Sequence, residues 1–321
     1  MSINIFIELA TILIASILID IADGEVREKV CPIHPVKICW QLGSLILRRI
    51  KKTRASGIML WILTVMPLLL IYAIAPTLML FYADKTGKVA LLVVSLVMCS
   101  VINKFTISFR LLNWYFVSIL DYIDKNNEAK ARVLLQEIVR RDVFALDRSH
   151  IYSALIETYV ESLVDGFVSP LFWFSILGLV GSYVQRLANT MDSLVGYRHD
   201  PYREVGWFSA NIDTILNVPG SIIFSVLSLL SSYRRGMFRE FLKNLESGRD
   251  VSSVTARVVF AVACTLLKVD LEKPGEYKIG IYGRLPDIEH CKKLLSCVYR
   301  TLSLSVLLFL LVLFAICLLI P

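Results

Sequence analysis

Charge is scarce in this chain of 321 residues. Only 19% are Asp, Glu, Lys or Arg, 56% are hydrophobic, and the mean hydropathy is +0.65. Soluble domains carry nearer a quarter charged residues, so an excess of this size excludes a disordered chain and most soluble enzymes. Paired cysteines are missing as well. Cysteines 31, 39, 99, 264, 291, 297 and 317 form no CxxC. Their odd number, and the lack of a secretory signal, argue against a disulfide framework. Cys31, His34 and Cys39 cluster, as do His290, Cys291 and Cys297, but neither spacing is that of a known metal site. There is no GxxxxGK[ST] loop, no dinucleotide-binding glycine fingerprint, no GxSxG elbow and no HExxH helix. Basic residues interleaved with aromatics in a soluble domain are absent too, so no nucleic-acid partner is expected.

What the chain has instead is long uncharged runs. Ile58–Tyr82 holds 25 residues without a charge, Gly166–Val184 19, Thr214–Tyr233 20 and Thr301–Ile320 20. Each is long enough to cross a hydrocarbon core of about 30 Å as a helix. Val89–Asn103 is shorter, at 15 residues, with room to extend past Lys104 toward Arg110; Ile3–Ala22 carries Glu8 and Asp20. Together these make four clear spans and two costlier ones. The stretch 254–267 contains Arg257, looks amphipathic and is not counted. Met1–Ile7 has no positive charge and no small-x-small cleavage site precedes Asp23, so the first segment reads as retained.

The net charge of +7 lies in the loops. Arg48, Arg49, Lys51, Lys52 and Arg54 crowd the loop before the second span, which the positive-inside rule places in the cytoplasm. The segments 110–165 and 234–300 are also rich in Lys and Arg. The expected architecture is all-α: a polytopic integral membrane helical bundle with cytoplasmic helical loops, one domain over 1–321.

The middle of the chain is the most informative. Asn126–Asp142 reads as an amphipathic helix with Glu128 and Arg132 one turn apart, its end at Arg140-Arg141 a solvated edge. Asp147 is a fitting N-cap for the next helix. That helix sets Glu157, Glu161 and Asp165 along one stripe, four residues apart, just before the apolar run at Gly166. Like charges there repel, so a wet helix face competes with a carboxylate site for a divalent cation or a cationic group. Between Asn189 and Asp213, two Asp, a Glu, two Arg and two Tyr are pinned between two apolar segments. A connecting loop needs turn formers, not aromatics alternating with Arg and Asp. We take this segment as the site. Asp192 and Asp213 could hold Mg²⁺ through one or two carboxylates, and Arg198 and Arg203 offer planar forks for phosphate or carboxylate.

Two stretches carry a family resemblance: ETYVESLVDGFVSPLFW (Glu157–Trp173) and NTMDSLVGYRHDPYREVGW (Asn189–Trp207). They resemble the adenosylcobinamide-phosphate synthase family of cobalamin biosynthesis, CobD/CbiB. His34-Pro35-Val36 followed by Gly43, and Arg141-Asp142, add to the match, which is dense over about 142–220. The resemblance implies a multi-pass cell-membrane ligase. It would join the free carboxylate of adenosylcobyric acid to aminopropanol or its phosphate as an amide, with ATP and Mg²⁺ activating the carboxylate. The implied catalytic residues are Glu157, Glu161, Asp165 and Asp192, with Asp192 and Asp213 on Mg²⁺ and Glu161 orienting or deprotonating the amine. The implied substrate contacts are His34, Asn189, Ser193, Tyr197, Arg198, Tyr202 and Arg203, with Arg198 or Arg203 on phosphate.

Several positions depart from the family pattern. Asn211 and Thr214 stand where an Arg and a paired Asp are usual, Ser162 where an Asn is usual, and Ala22-Asp23-Gly24 for an early Gly-Asp-Pro. Ser247-Gly248-Arg249-Asp250 occupies the place of a His-Ser-x-x-Asn element, while Tyr277-Lys278-Ile279-Gly280 keeps a later Tyr-x-x-Gly turn. An altered amine or corrinoid substrate, or a non-catalytic membrane carrier or sensor for a corrinoid or other anion, is the competing reading. A transporter should show internal repeats, and none is visible. If every apolar run crosses, 185–213 lies across the membrane from the basic loops. Pro170, Gly178 and Gly181 make 166–184 a candidate broken or re-entrant helix that would resolve the conflict.

Overall fold

The computed structural model describes residues 2–23, 31–197 and 199–319, and it is almost wholly helical. In chain order the helices are α1 (Ser2–Asp23), α2 (Pro35–Leu47), α3 (Arg54–Leu69), α4 (Ala75–Thr86), α5 (Val89–Lys104), α6 (Phe109–Asp124) and α7 (Glu128–Ile138). There follow α8 (Arg148–Leu163), α9 (Ser169–Val195), α10 (Trp207–Ser231), α11 (Met237–Ser247), α12 (Val254–Leu267) and α13 (Ile288–Leu319). π-helical turns at Leu70–Ile74 and Val164–Val168 join α3 to α4 and α8 to α9. The strands β1 (Leu271–Lys273) and β2 (Tyr277–Ile279) pair antiparallel, with Leu271 opposite Ile279.

Side-chain caps set several starts. Thr53 accepts from the Ser56 N–H, Asn127 from Lys130 and Ser253 from Ala256. Asp147 caps α8 as its sequence position predicts, accepting from the His150 N–H at 2.9 Å. Six helical stretches are long and apolar enough to cross a membrane: Ile3–Ala22, Arg54–Thr86, Val89–Asp124, Arg148–Val195, Trp207–Ser231 and Ile288–Leu319. They contain four of the six segments expected from the sequence and most of Thr214–Tyr233 and Thr301–Ile320, and α12 stays too short to cross. Exposed apolar residues repeat at helical spacing, as in Val89, Val93, Val97 and Val101 of α5. In water such a stripe would drive aggregation; against lipid it is the ordinary surface. The chain is a polytopic helical membrane protein.

It divides into two compact units. The first comprises Met1–Phe109, Asp165–Asn217 and Leu308–Pro321. In it α1 and α4 pack on α5, while α2 packs on α3 and α9. Buried hydroxyls and amides tie these helices where side chains are otherwise apolar. Asn103 donates to Ser16 at 3.1 Å, Ser182 donates to Asn103 at 2.9 Å, and Lys104 lies 3.9 Å from the buried carboxylate of Asp20. α9 breaks at Gly178, whose φ of 59° and ψ of −146° favour a residue without a Cβ. The broken helix expected over 166–184 is therefore present.

The second unit comprises Arg110–Val164 and Val218–Leu307. Here α8 packs on α12 and on β1, and α11 lies on α12. Phe116 stacks on Tyr159 with ring centroids 4.2 Å apart. The amphipathic helix expected over 126–142 is shorter, because Val139 is already extended. The chain then wraps around Arg132, which donates to the carbonyls of Val143, Phe144 and Leu146 while paired with Glu128. Arg140 is exposed, but Arg141 is not the solvated residue its sequence suggests; its side chain is 12% exposed and paired with Glu157.

Candidate functional site

Glu157 and Glu161 stand in the regular helix α8, and Asp165 stands in the π turn Val164–Val168 that follows it. Glu157 and Glu161 fall in the second unit and Asp165 in the first. Their surroundings differ accordingly. Glu157 is buried, and both of its oxygens are occupied. Oε1 accepts from Ser153 at 2.7 Å, and Oε2 accepts from Arg141 at 2.6 Å and Tyr277 at 2.8 Å. Ser153 also accepts from the Glu272 N–H, tying α8 to the hairpin. Burial and the Glu157 carboxylate push the Tyr277 phenol up, with a smaller contribution from Glu161. This phenol therefore stays protonated and donates.

In the first unit, Asp165 belongs to a chain of carboxamides. Its Oδ2 accepts from Asn189 Nδ2 at 3.1 Å, and its carbonyl accepts from Gln185 Nε2 at 3.0 Å. Gln185 Nε2 also donates to Asn217 Oδ1 at 2.9 Å, and Asn217 Nδ2 donates to Asp213 Oδ1 at 2.9 Å. One run of hydrogen bonds thus links Asp165, Asn189, Gln185, Asn217 and Asp213. Gln185 and Asn217 were not among the residues expected from the sequence. They carry no charge and sit at the edge of, or inside, an apolar run. The available signal was their spacing: Gln185–Asn189 and Asp213–Asn217 are both one helical turn apart.

The segment after α9 is fixed by close backbone approach. A Cβ on Gly206 would collide with the Val195 carbonyl, and one on Gly57 of α3 with the Val205 carbonyl. Glu204 pairs with Arg54 at 2.9 Å, and the Arg54 guanidinium lies over the Trp207 ring, 5.3 Å from its centroid. A cavity of about 440 Å³ opens here, lined by Gly196, Tyr197, Arg203, Gly206, Trp207, Ala210, Asn211 and Thr214. Tyr202 flanks it, its ring 5.4 Å from that of Tyr197. Asn211 and Thr214, two departures from the family pattern, are therefore cavity walls.

The Asp192 carboxylate occupies the space where a Cβ on the cavity residue Gly196 would fall. Asp192 stands at the C-terminal turn of α9, where its carbonyl accepts from the Gly196 N–H at 2.7 Å, and Ser193 beside it is half-buried. Arg198 lies outside the described residues, as does Gly24. His34 is buried at the start of α2 with its ring edge-on to Phe105, centroids 5.0 Å apart. Burial, with the charges of Arg186, Lys104 and Lys37, lowers its pKa to about 4, so it is neutral at physiological pH. Among the described residues no three of His, Cys, Asp and Glu gather as a metal site.

A family profile described as CobD/Cbib protein matches residues 13–304. A probable cobalamin biosynthesis protein CobD of Thermoplasma volcanium is 32% identical over 297 residues, covering 90% of this chain and 92% of the relative. Proteins of the same description from Methanothermobacter thermautotrophicus and Archaeoglobus fulgidus are 34% and 37% identical. The first of these alignments covers 84% of this chain and 86% of the relative, the second 54% and 60%. No solved structure matches. With a profile spanning nearly the whole chain, and relatives above 30% identity over most of both sequences, the chain belongs to the CobD/CbiB family.

Proposed function

We propose that this protein is the amide-forming ligase of its pathway. It would join the free carboxylate of adenosylcobyric acid to aminopropanol or aminopropanol phosphate, giving adenosylcobinamide or its phosphate at the cell membrane. Family membership supports the coarser statement, a role in cobalamin biosynthesis and a corrinoid-related substrate. The finer reading rests on one observation: a cavity of about 440 Å³ walled by Arg203, Tyr197, Asn211 and Thr214 opens at the helix that carries Asp213. A space of that size suits a small metabolite. The amine and its phosphate would enter it, and the larger corrin would present only its reacting side chain.

In this reading Arg203 holds phosphate oxygens through its planar fork. Asp192 and Asp213 would hold Mg²⁺, which with ATP supplies the activation that a carboxylate needs before an amine can displace oxygen. Tyr197 and Tyr202 form the apolar wall that excludes water from the activated carboxyl group.

The test is expression of this chain in a cell lacking its own adenosylcobinamide-phosphate synthase, supplied with cobyric acid, with cobalamin measured by mass spectrometry. Cobalamin is the expected result, and Asp192→Ala should abolish it while leaving the protein in the membrane. No cobalamin from wild-type protein verified in the membrane overturns the ligase and favours a carrier or sensor of corrinoids.

A further inference from the structure

Helix α11 is buried along one face only. Met237, Phe241 and Asn244 are buried, the helix packs on α12 and β2, and Asn244 Nδ2 donates to Thr265 at 2.8 Å. The neighbouring stripe faces out: Phe238 is 64% exposed and Leu242, one turn on, 48%. Arg239 and Lys243 follow those two in the sequence and so stand about 100° round the helix, along the edge of the apolar stripe. Both are exposed, as is Arg235 just ahead of the helix. Neither acid of α11 neutralises these three cations, because Glu240 pairs with Arg234 and Glu246 with Arg249.

This stripe adjoins the end of a span. Exposed Ile222, Val226 and Leu230 run along α10 at one-turn spacing and continue into exposed Tyr233. At the same level α13 enters its own uncharged run. There Ser228 and Thr301 share a hydrogen bond of 3.1 Å, and Arg300 donates to the Ser231 carbonyl at 3.4 Å. Two turns carry the chain on into α11, the Tyr233 N–H donating to the Leu230 carbonyl and the Met237 N–H to that of Arg234. Gly236, with a φ of 84°, breaks the helical course between α10 and α11. A helix of 11 residues reaches only about 16 Å, too little to cross a bilayer. It therefore begins at the membrane boundary and stays there.

An apolar stripe edged by uncompensated cations fits one kind of surface at that boundary. Phe and Leu sink to the level where headgroups meet acyl chains, while long basic side chains reach back to the headgroups. By the positive-inside rule the Lys- and Arg-rich segment 234–300 belongs on the cytoplasmic side, whose leaflet is the more anionic. We propose that α11 is an in-plane anchor for anionic phospholipid. Phe238 and Leu242 enter the headgroup–acyl boundary, and Arg235, Arg239 and Lys243 engage lipids of net negative charge. Such an anchor is independent of the reaction proposed above.

The test places a photoreactive side chain on the stripe. Full-length Phe238→p-benzoylphenylalanine protein is reconstituted in vesicles of equal parts phosphatidylcholine and phosphatidylglycerol and irradiated, and its adducts are identified by mass spectrometry. Ile222→p-benzoylphenylalanine, within the span, is the control and should take both lipids equally. Position 238 should take phosphatidylglycerol over phosphatidylcholine by at least about threefold. The variant Arg235→Gln/Arg239→Gln/Lys243→Gln should still form lipid adducts at 238 but with no preference between the lipids. Salt at about 1 M, where the Debye length falls to about 3 Å, should act in the same way. If the substitution at 238 prevents folding, Leu242→p-benzoylphenylalanine takes its place with the same expectations. No lipid adduct on the stripe, when position 222 reacts, overturns the anchor. So do adducts to a second copy of the chain in place of lipid, which would make the stripe a protein interface. Equal labelling by the two lipids without the Gln substitutions, or a preference that survives them, overturns the recognition of anionic headgroups by these three side chains.

Discussion

Two carboxylates from neighbouring stretches of helix, Glu157 buried and Asp165 half-buried, are treated in opposite ways. Glu157 is saturated: a serine, a tyrosine and an arginine occupy both oxygens, and the arginine neutralises it. Asp165, eight residues on, receives a carboxamide at one oxygen and passes the connection through Gln185 and Asn217 to Asp213. A saturated ion pair has no capacity left for a ligand; it holds backbone segments together. A chain of amides instead links its carboxylates to one another through neutral side chains. The π turn that separates the two lets one continuous run of sequence serve both purposes.

The sharpest way to break this comparison is to remove a carboxylate from each side. Asp213→Ala should cut amide formation per folded molecule by at least a hundredfold. Glu157→Leu should do the reverse. It leaves Arg141 buried without its counter-charge, and breaking a buried pair from one side costs about 3–5 kcal/mol. The expected result is a large fall in the thermal midpoint with activity per folded molecule retained. The double variant Arg141→Met/Glu157→Leu should recover most of that loss, because removing both charges also removes their desolvation cost. Activity lost in Glu157→Leu at full stability would instead make Glu157 a reacting group.

A smaller effect comes from His34, outside both networks. Its folded pKa of about 4 lies below the ordinary histidine value of 6.5, so the unfolded chain binds the proton first as pH falls. Stability from this site is full above about pH 6.5, is lost as pH drops toward 4, and is flat below. The whole effect is at most about 3 kcal/mol. His34→Gln should flatten this limb of the midpoint-against-pH curve. A limb unchanged in the variant would mean that another group carries it.

These contrasts explain what was legible in the sequence. Spans are legible because lipid imposes a length and an absence of charge, both of which are local properties; each of the six apolar segments lies wholly or largely within a helical stretch long enough to cross. The break at Gly178 was legible because glycine and proline punctuate helices. The pairing of Arg141 with Glu157 was not, since its third member, Tyr277, is 120 residues away. Gln185 and Asn217 escaped because uncharged amides next to apolar runs do not stand out from composition. Only their one-turn spacing from Asn189 and Asp213 marks them. The π turn in which Asp165 stands was not legible, because spacing rules presume a regular helix and nothing in the residues Val164–Val168 themselves announces it.

The smallest effect, and the finest check on the comparison, lies at the periphery of the second unit. Glu240 is paired with Arg234 and also accepts from Tyr282 at 2.8 Å, a three-group arrangement like that around Glu157. The difference is exposure: the Glu240 side chain is 28% exposed and that of Arg234 32%, against 5% for Glu157. Arg234 first, then Tyr282, hold the Glu240 carboxyl down at about 2, below its ordinary 4.5. The folded state therefore resists protonation while the unfolded chain accepts it. The stabilisation is present in full above about pH 4.5 and declines as pH falls toward 2. Solvent screens a pair this open, so raising salt should shrink the effect, whereas the Glu157 pair, shut away from ions, should ignore salt. Arg234→Met should lower the midpoint modestly at neutral pH and change it little near pH 2, so that the acid limb flattens. An equal salt response at both pairs would show that exposure does not separate them, and that the saturation seen at Glu157 is no guide to what holds its helix.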